Sequence, residues 1–260
     1  MIVVDDLAHW REVRQAIREP LGFVATMGAL HAGHGSLISR SVADCAATVV
    51  SVFVNPTQFN DPKDLANYPD TLQADLEMAE SLGADFVLKP SYDDLYGDDF
   101  RYQICEQSLS RELCGAHREG HFTGVLTVVM KLLNIVRPQR AYFGEKDFQQ
   151  YLLIRDMCAA FFVDVEIVPC PIVREADGLA LSSRNALLDT EGRRLAPTLN
   201  KLLCSTKSDA EVAQQLEQAG FNVDYVTTRE DRRFAAAIVR CGDRSVRLID
   251  NVALAAAQGS

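Results

Sequence analysis

The stretch Gly22 to Leu37, GFVATMGALHAGHGSL, has the pattern of a strand, a glycine-containing loop and a helix. The apolar run Phe23 to Ala25 predicts a buried strand, and the apolar spacing from Ser36 onward predicts a helix. In an α/β sheet such a turn lies at the carboxyl end of a strand, where ligands bind. The N–H groups at the start of the following helix favour an anion. This stretch therefore predicts an α/β fold with an anion-binding loop.

The loop differs from the two commonest phosphate-binding motifs. It lacks G-x-G-x-x-G, and although Gly28 and Gly33 have the spacing of the Walker loop, His34 and Gly35 replace its lysine and its hydroxyl residue. What remains is a pair of imidazoles, His31 and His34, at a helix start. Imidazoles can donate to nucleotide phosphates and stabilise charge that develops at a phosphoryl centre. A zinc site would need at least a third ligand, and no neighbouring cysteine or third histidine offers one.

The composition is that of an ordinary globular protein. The 260 residues are 48% hydrophobic and 24% charged, which is enough chain for one large domain or two smaller ones. The net charge of −10 argues against broad binding to nucleic acid, although a local basic cluster could still bind one anionic ligand. We expect a cytoplasmic protein, because no signal-peptide pattern or membrane-spanning run is present and the seven scattered cysteines form no C-x-x-C pair.

Strand-like and helical patterns alternate over the first part of the chain, which predicts a parallel sheet with covering helices. We expect Ser91 to Phe100 to be a solvated loop, and Arg101 to Cys105 to form a short strand. An apolar helix is predicted from Val125 to Val136, with Lys131 either at the surface or facing the cleft as a cation.

The character of the sequence changes after Asp189. Two helical patterns, Thr190 to Cys204 and Asp209 to Ala219, precede three strand-like runs. Helices followed by strands suggest a separate, small α+β domain. The sequence therefore predicts one domain over residues 1–175 and a second over residues 176–260.

Three further polar segments follow predicted strands and are candidates for ligand contacts. Asn55 follows a β-branched run and can open a turn with its neighbouring proline, whereas Gln58 has no obvious turn role and favours substrate contact. Lys146 at a helix start is suited to phosphate, and Asp147 could cap that helix or orient a nucleotide hydroxyl. The segment Leu181 to Asn185 combines two hydroxyls and an arginine, which can bind phosphate oxygens or begin a helix.

Taken together, four motifs in order closely resemble the pantothenate synthetase family of the H-x-G-H nucleotidylyltransferase superfamily. They are Met27 to His34, Val54 to Phe59, Gly144 to Asp147 with Gln150, and Leu181 to Arg184. The resemblance covers nearly the whole chain. It implies a Rossmann-like, parallel-sheet nucleotide-binding domain and a smaller C-terminal α+β domain that covers the site.

The resemblance also implies a reaction. The family joins pantoate to β-alanine with ATP and Mg²⁺, through pantoyl adenylate, and releases pyrophosphate and AMP. It is usually a homodimer. Because the substrate's own carboxylate attacks, no side-chain nucleophile is needed, and catalysis consists of positioning and charge stabilisation.

The same resemblance implies the roles of individual residues. The catalytic groups would be His34, His31, Lys146 and Arg184, with no protein metal ligand. The ATP contacts would be Met27, Gly28, Ala29, Leu30, His31, Ala32, Gly33, His34, Gly144, Glu145, Lys146, Asp147, Val173, Leu181, Ser182, Ser183 and Arg184. The pantoate and β-alanine side would contain Gln58, Gln150, Asn55, His121 and Arg118.

Three positions depart from the family pattern. Ala32, Gly35 and Glu119 stand where glutamate, a large apolar residue and proline are common. Gly35 could loosen the helix start by up to about 1 kcal/mol relative to alanine. Because the phosphate-binding groups are intact, these changes bear on rate and loop order rather than on reaction type. Two alternatives remain, a nucleotidyltransferase that keeps the nucleotide on its product, and a catalytically silent nucleotide-binding protein.

Overall fold

The structure, a computed structural model, describes residues 1–17, 19–60 and 62–254, apart from the side chain of Lys63. The described chain forms two compact units. The first contains Met1–Glu145 and Gln149–Pro171, and the second contains Lys146–Phe148 and the chain from Ile172 onward. Residues 255–260 of the predicted C-terminal domain lie outside the described residues. The division at residue 175 into separate domains stays a prediction.

The described part of the first unit is built on one six-stranded parallel sheet with the order β1-β4-β3-β2-β5-β6. Its strands are β1 Ile2–Val4, β2 Leu21–Thr26, β3 Ala47–Val52, β4 Phe86–Leu88, β5 Arg140–Gly144 and β6 Glu166–Cys170. The helices between them are α1 Leu7–Ala16, α2 Ala32–Asp44, α3 Pro62–Ala66, α4 Leu72–Ser81, α5 Tyr92–Tyr96, α6 His121–Val136 and α7 Phe148–Ala160. The predicted parallel α/β architecture is confirmed.

The direction of chain progress across this sheet reverses between β2 and β5. From β2 the chain moves to β3 and β4 on one side, whereas β5 and β6 lie on the other side. At such a reversal the loops that leave the carboxyl ends of the two central strands diverge and leave a crevice for ligands. The histidine loop follows β2, and Gly144 ends β5. The topology therefore puts two of the predicted ATP-binding segments at the ends of the two strands that flank the reversal.

The second unit contains a three-stranded antiparallel sheet in its described part. The helices α8 Thr190–Leu195, α9 Pro197–Leu203 and α10 Asp209–Ala219 precede the strands β7 Asn222–Arg229, β8 Arg232–Cys241 and β9 Arg244–Ala253. A core of Leu199, Leu203, Leu216, Val239 and Leu248 joins these helices to the sheet. The predicted α+β character is confirmed, but the helix expected from Thr190 to Cys204 is two helices, because Pro197 cannot continue the hydrogen bonding of the first.

Several predicted elements of the first unit are wrong in type or bounds. The expected solvated loop from Ser91 to Phe100 contains α5, and its Leu95 and Tyr96 are buried. The expected strand from Arg101 to Cys105 is irregular, and β1 was not predicted from the sequence. Helix α2 begins at Ala32 instead of Ser36, and α6 begins at His121 instead of Val125. Both corrections move candidate histidines from loops into first helical turns or caps.

Two further expectations concern the absence of disulfide bonds and of membrane-spanning helices. The seven cysteines, all within the described residues, form no disulfide. Burial raises the pKa of the Cys158 and Cys170 thiols to about 11, so both stay protonated near neutral pH. No helix of the described residues is both long enough and apolar enough to cross a membrane.

Candidate active site

The loop between β2 and α2 has a strained backbone that a buried carboxylate holds in place. Gly28 and Ala29 both have positive φ angles, 81° and 50°. Asp75 of α4 is only 3% exposed. Its carboxylate accepts hydrogen bonds from Ala29 N at 2.9 Å and Leu30 N at 2.7 Å, and from the Thr71 hydroxyl at 3.2 Å. The sequence-based reasoning missed Asp75, although a carboxylate on the apolar stripe of a predicted helix is a recognisable signal.

The two histidines of this loop form a close pair of tilted rings at the start of α2. His31 is the N-cap, and its Nδ1 accepts from Gly33 N at 3.1 Å. His34 Nδ1 accepts from His31 N at 3.4 Å, and the two ring centroids are 4.1 Å apart. Since each Nδ1 accepts a backbone hydrogen bond, each neutral ring carries its proton on Nε2. Both imidazoles are therefore Nε2–H donors at the positive end of a helix.

The turn after β3 carries Asn55 and Gln58 in a connected hydrogen-bond network. Asn55 is 1% exposed, and both atoms of its side-chain amide have partners inside the unit. Its Oδ1 accepts from the Tyr96 hydroxyl at 2.9 Å and the Thr57 hydroxyl at 3.0 Å. Its Nδ2 donates to Gln58 Oε1 at 3.1 Å and to Gly124 O at 3.3 Å. Asn55 thus fixes the position of the Gln58 side chain.

Arg118 and His121 hold the same turn from the other side. His121, the first residue of α6 and 7% exposed, donates through Nδ1 to the Gln58 carbonyl at 2.9 Å. Arg118 donates to this carbonyl at 3.3 Å and lies 2.9 Å from His121 Nε2. Because a carbonyl only accepts, Nδ1 of His121 carries the proton and its Nε2 accepts from Arg118. Together with Asn55, the structure therefore brings four of the five predicted substrate-side residues together.

The close packing of α6 against this turn requires a glycine. A Cβ added at Gly124 would lie 2.4 Å from the Thr57 carbonyl oxygen and 2.8 Å from Gln58 N. No side chain fits there without displacement of the backbone that carries Gln58. Helix α6 and the Gln58 turn are therefore positioned as one piece.

Helix α5 supports the hydrogen-bond network of Asn55 and Gln58 through its residue Tyr96. Burial raises the pKa of the Tyr96 phenol, so its hydroxyl stays a donor to Asn55. Lys131 lies 4.6 Å from the Tyr96 ring centroid and donates to the Leu95 carbonyl at 2.6 Å and to Asp98 at 2.8 Å. These contacts match neither role predicted for Lys131, because the half-buried ammonium is bonded to groups of its own unit. The Lys131 ammonium lowers the pKa of Asp98 to about 2.

The adjacent glutamines Gln149 and Gln150 lie in the first turn of α7 but differ in burial. Gln149 is 5% exposed, accepts from Cys114 N at 3.0 Å and donates to the carbonyls of Leu109 and Glu112 at 2.8 Å and 2.7 Å. Gln149 thus holds the segment of residues 109–114, which precedes α6, against α7. Gln150 is half-buried, which leaves it the better candidate of the two for substrate contact.

The second unit contains a small cleft lined by several of the predicted phosphate-binding residues. Lys146, Ser182 and Arg184 all line it, together with Asn200 and Arg247. Arg247 is paired with Asp224 at 2.7 Å, so Lys146 and Arg184 are the cations of the cleft that suit an anionic ligand. The structure brings these candidate residues, which are far apart in sequence, into one place.

The segment from Val173 to Arg184 is anchored by local hydrogen bonds. Leu181 N donates to the Val173 carbonyl at 3.0 Å, and Ser182 Oγ accepts from Arg184 N at 3.3 Å. The second contact makes Ser182 the cap of a 3-10 turn over Ser183–Leu187, as the capping interpretation predicts. Asp147 lies 3.7 Å from the Lys146 ammonium and tempers its charge.

An ion pair holds Asp250, one of the residues that line this cleft. Arg174 makes two bonds to the buried Asp250 carboxylate, at 2.7 Å and 2.8 Å. Asn200 also donates to Asp250 at 3.1 Å. The negative charge of Asp250 is therefore compensated, and the cations of the cleft are not neutralised by it.

Comparisons with known proteins agree along nearly the whole chain. The pantoate-beta-alanine ligase family matches residues 2–253. Pantothenate synthetase from Bdellovibrio bacteriovorus is 56% identical over 232 residues, which cover 89% of this chain and 91% of that protein. Pantothenate synthetase from Legionella pneumophila is 48% identical and covers 98% of this chain and 100% of its own length.

Solved structures give the same result. The pantoate-beta-alanine ligase of Francisella tularensis, described as complexed with beta-gamma ATP and β-alanine, has a TM-score of 0.90 and 38% identity over 97% of both chains. The pantothenate synthetase of Thermus thermophilus has a TM-score of 0.87 and 38% identity over 97% of this chain and 99% of its own.

Proposed function

Because the chain belongs to the pantoate-beta-alanine ligase family, we propose that it condenses pantoate with β-alanine at the expense of ATP. In the first step, an oxygen of the pantoate carboxylate attacks the α-phosphorus of ATP, and the bond to the β-phosphate oxygen breaks. The products are pantoyl adenylate and pyrophosphate. In the second step, the amine of β-alanine attacks the acyl carbon, loses a proton and displaces AMP.

The nucleotide contacts are proposed for two sets of residues, one in each unit. In the first unit they are Met27, Gly28, Ala29, Leu30, His31, Ala32, Gly33, His34, Gly144 and Glu145. In the second unit they are Lys146, Asp147, Val173, Leu181, Ser182, Ser183 and Arg184. The Nε2–H donors at the start of α2 and the cationic cleft of the second unit support these assignments.

His34 and His31 have the central catalytic role in this proposal. Their Nδ1 atoms already accept backbone hydrogen bonds, so each ring is oriented before the substrate arrives. A donor that is fixed in advance stabilises charge developing on phosphate oxygens without reorganisation. Lys146 and Arg184 add positive charge for the pyrophosphate that leaves.

Pantoate is proposed to bind beside the turn after β3. Gln58 and Gln150 contact its hydroxyls, and Asn55 lies beside Gln58 and holds it. His121 and Arg118 bind the backbone of the Gln58 turn, so their contribution to the pantoate and β-alanine side is to fix its shape. The roles of these residues in substrate binding rest on the family resemblance.

Mg²⁺ is proposed to enter together with ATP. Among the described residues there is no group of three or more His, Cys, Asp or Glu side chains that could hold a metal ion. Mg²⁺ usually keeps several waters and is bound through substrate phosphates and one or two carboxylates, so such a group is not required. Its chemical contribution would be to neutralise phosphate charge.

The observation that carries the proposal is the match of the family to residues 2–253, which contains the oriented histidine pair at the reversal of the sheet. The test is product analysis with ATP, Mg²⁺, pantoate and β-alanine. We expect AMP and pantothenate in equal amounts. A nucleotide that stays on the product would indicate a nucleotidyltransferase, and no turnover would indicate a silent nucleotide-binding protein.

We also propose that the protein is a homodimer in the cytoplasm, as the family resemblance implies. Light scattering at micromolar concentration tests the assembly. A monomeric mass would contradict it.

A further inference from the structure

The orientation of the Asn55 amide is fixed by the chemistry of its neighbours. The Gly124 carbonyl, 3.3 Å from Nδ2, can only accept a hydrogen bond. The atom of Asn55 that faces Gly124 must therefore be the NH₂ group. On the opposite side, the Tyr96 hydroxyl at 2.9 Å and the Thr57 hydroxyl at 3.0 Å both donate to Oδ1. A rotated amide would place its oxygen against the Gly124 oxygen, which is unfavourable.

The fixed Asn55 amide in turn fixes Gln58. Asn55 Nδ2 donates to the Gln58 side chain at 3.1 Å, so the Gln58 atom at that contact must be the carbonyl oxygen. Since the oxygen and the nitrogen of a planar amide point in different directions from their shared carbon, the Gln58 NH₂ group is the end that is left for another partner. Tyr96 thus acts on Gln58 through Asn55, together with Thr57 and Gly124, which hold the same amide in the same orientation.

We propose that Tyr96 is a positioning residue that makes Gln58 a hydrogen-bond donor to its substrate. This inference rests on the proposed function, and it specifies what Gln58 recognises. The group it binds must supply a lone pair, as the oxygen of a hydroxyl or of a carboxylate does. The substrate group at this position is thus an acceptor, and a group that can only donate is rejected because two donors would face each other.

Helix α5 is built to keep Tyr96 in this position. The Tyr96 ring is 1% exposed and contacts the rings of Tyr92, at 5.0 Å between centroids, and Phe100, at 5.5 Å. The Lys131 ammonium lies over the same ring and is bonded to the Leu95 carbonyl beside it. These contacts fix the ring, and the hydroxyl donates to Asn55 at 2.9 Å and lies 3.2 Å from the Thr57 hydroxyl.

The first test compares Gln58→Glu with Gln58→Leu. At about pH 8 the glutamate is ionised, so it can accept from Asn55 but cannot donate to substrate. We expect the KM for pantoate to rise about tenfold or more in both variants, with glutamate no better than leucine, while the KM for ATP stays within about twofold. A near-normal KM for pantoate in Gln58→Glu would overturn the inference, because it would mean that Gln58 accepts.

The second test is a double-mutant cycle on Tyr96. Tyr96→Phe keeps the ring and removes only the hydroxyl, and Tyr92→Phe is the matched control on the same helix. We expect Tyr96→Phe to raise the KM for pantoate about three- to tenfold with little change in kcat, and Tyr92→Phe to leave both unchanged. In a Gln58→Leu background the Tyr96→Phe effect should disappear, because both changes act on one contact.

The outcomes separate the inference from the proposed function. Additive effects of Tyr96→Phe and Gln58→Leu would overturn the positioning role while pantoate-dependent turnover persists. A wild-type protein without any pantoate-dependent turnover would refute the proposed function, and the inference with it.

Discussion

Replacement of Asp75 by asparagine should weaken the loop that carries the two histidines. Both carboxylate oxygens accept from this loop, at 2.9 Å from Ala29 N and 2.7 Å from Leu30 N. In Asp75→Asn one oxygen becomes an NH₂ group, which cannot accept, so one of these two backbone donors faces another donor. The backbone of Ala29, which is strained at a φ angle of 50°, then loses one of the hydrogen bonds that maintain it.

The size of the effect follows from the number of bonds lost. A buried donor without a partner costs about 1–3 kcal/mol. If the loop relaxes to avoid this cost and the histidines must be brought back for reaction, the same free energy is added to the barrier. At about 1.4 kcal/mol for each factor of ten, adenylation should slow roughly 5- to 150-fold.

The assay is pyrophosphate exchange at saturating ATP and pantoate, with thermal unfolding of each variant measured in parallel. Asp85→Asn is the control for removal of an acidic side chain that accepts a backbone hydrogen bond, because the exposed Asp85 accepts from Thr48 at 2.8 Å, at the amino end of β3. We expect normal exchange in this control. Near-normal exchange in Asp75→Asn, or an equal loss in Asp85→Asn, would refute the positioning of the loop by Asp75.

Three further results are expected. Gly124→Ala should lower the free energy of unfolding in urea by about 1–3 kcal/mol and raise the KM for pantoate, because the new Cβ would lie 2.4 Å from the Thr57 carbonyl oxygen. An unchanged midpoint of urea unfolding would show that α6 can move away from the turn. Lys131 lowers the pKa of the Asp98 carboxyl to about 2, so the pair should stabilise the fold fully above the ordinary carboxyl pKa of about 4. This stability should be lost as the pH falls through about 2. If Lys131→Met leaves the free energy of unfolding unaltered between about pH 4 and about pH 2, the pair contributes nothing. ATP affinity should fall as ionic strength rises, and less steeply in Lys146→Ala; identical slopes would remove Lys146 from phosphate binding.

The regular elements could be predicted because their signals are local. The β-branched run in β3 indicates a buried parallel strand, and helix α10 has the predicted bounds Asp209–Ala219. The Ser91–Asp94 capping box also was readable as a helix start, although the acidic composition of that segment favoured a loop. The acidic composition of this segment predicts a loop, whereas its capping box correctly indicates the start of α5.

The partners of the supporting residues could not be predicted because these contacts are distant in sequence. Asp75 bonds to a backbone 46 residues away, and Tyr96 bonds to Asn55 across 41 residues. Periodicity reports which face of an element is buried, but it does not identify the partner of a buried polar group. Most motif residues of the candidate site could be found from their sequence patterns and from the family resemblance, whereas the contacts of Asp75 and Tyr96 required the structure.

The most direct test of the central claim is the exchange of labelled pyrophosphate into ATP with pantoate and Mg²⁺ present and β-alanine absent. If the pantoate carboxylate attacks the α-phosphorus, adenylation needs no amine, so exchange should occur under these conditions. Little AMP should accumulate until β-alanine is added, because the acyl adenylate must be kept from water. Exchange that requires β-alanine, or ADP as the nucleotide product, would contradict the adenylate mechanism even if pantothenate were formed.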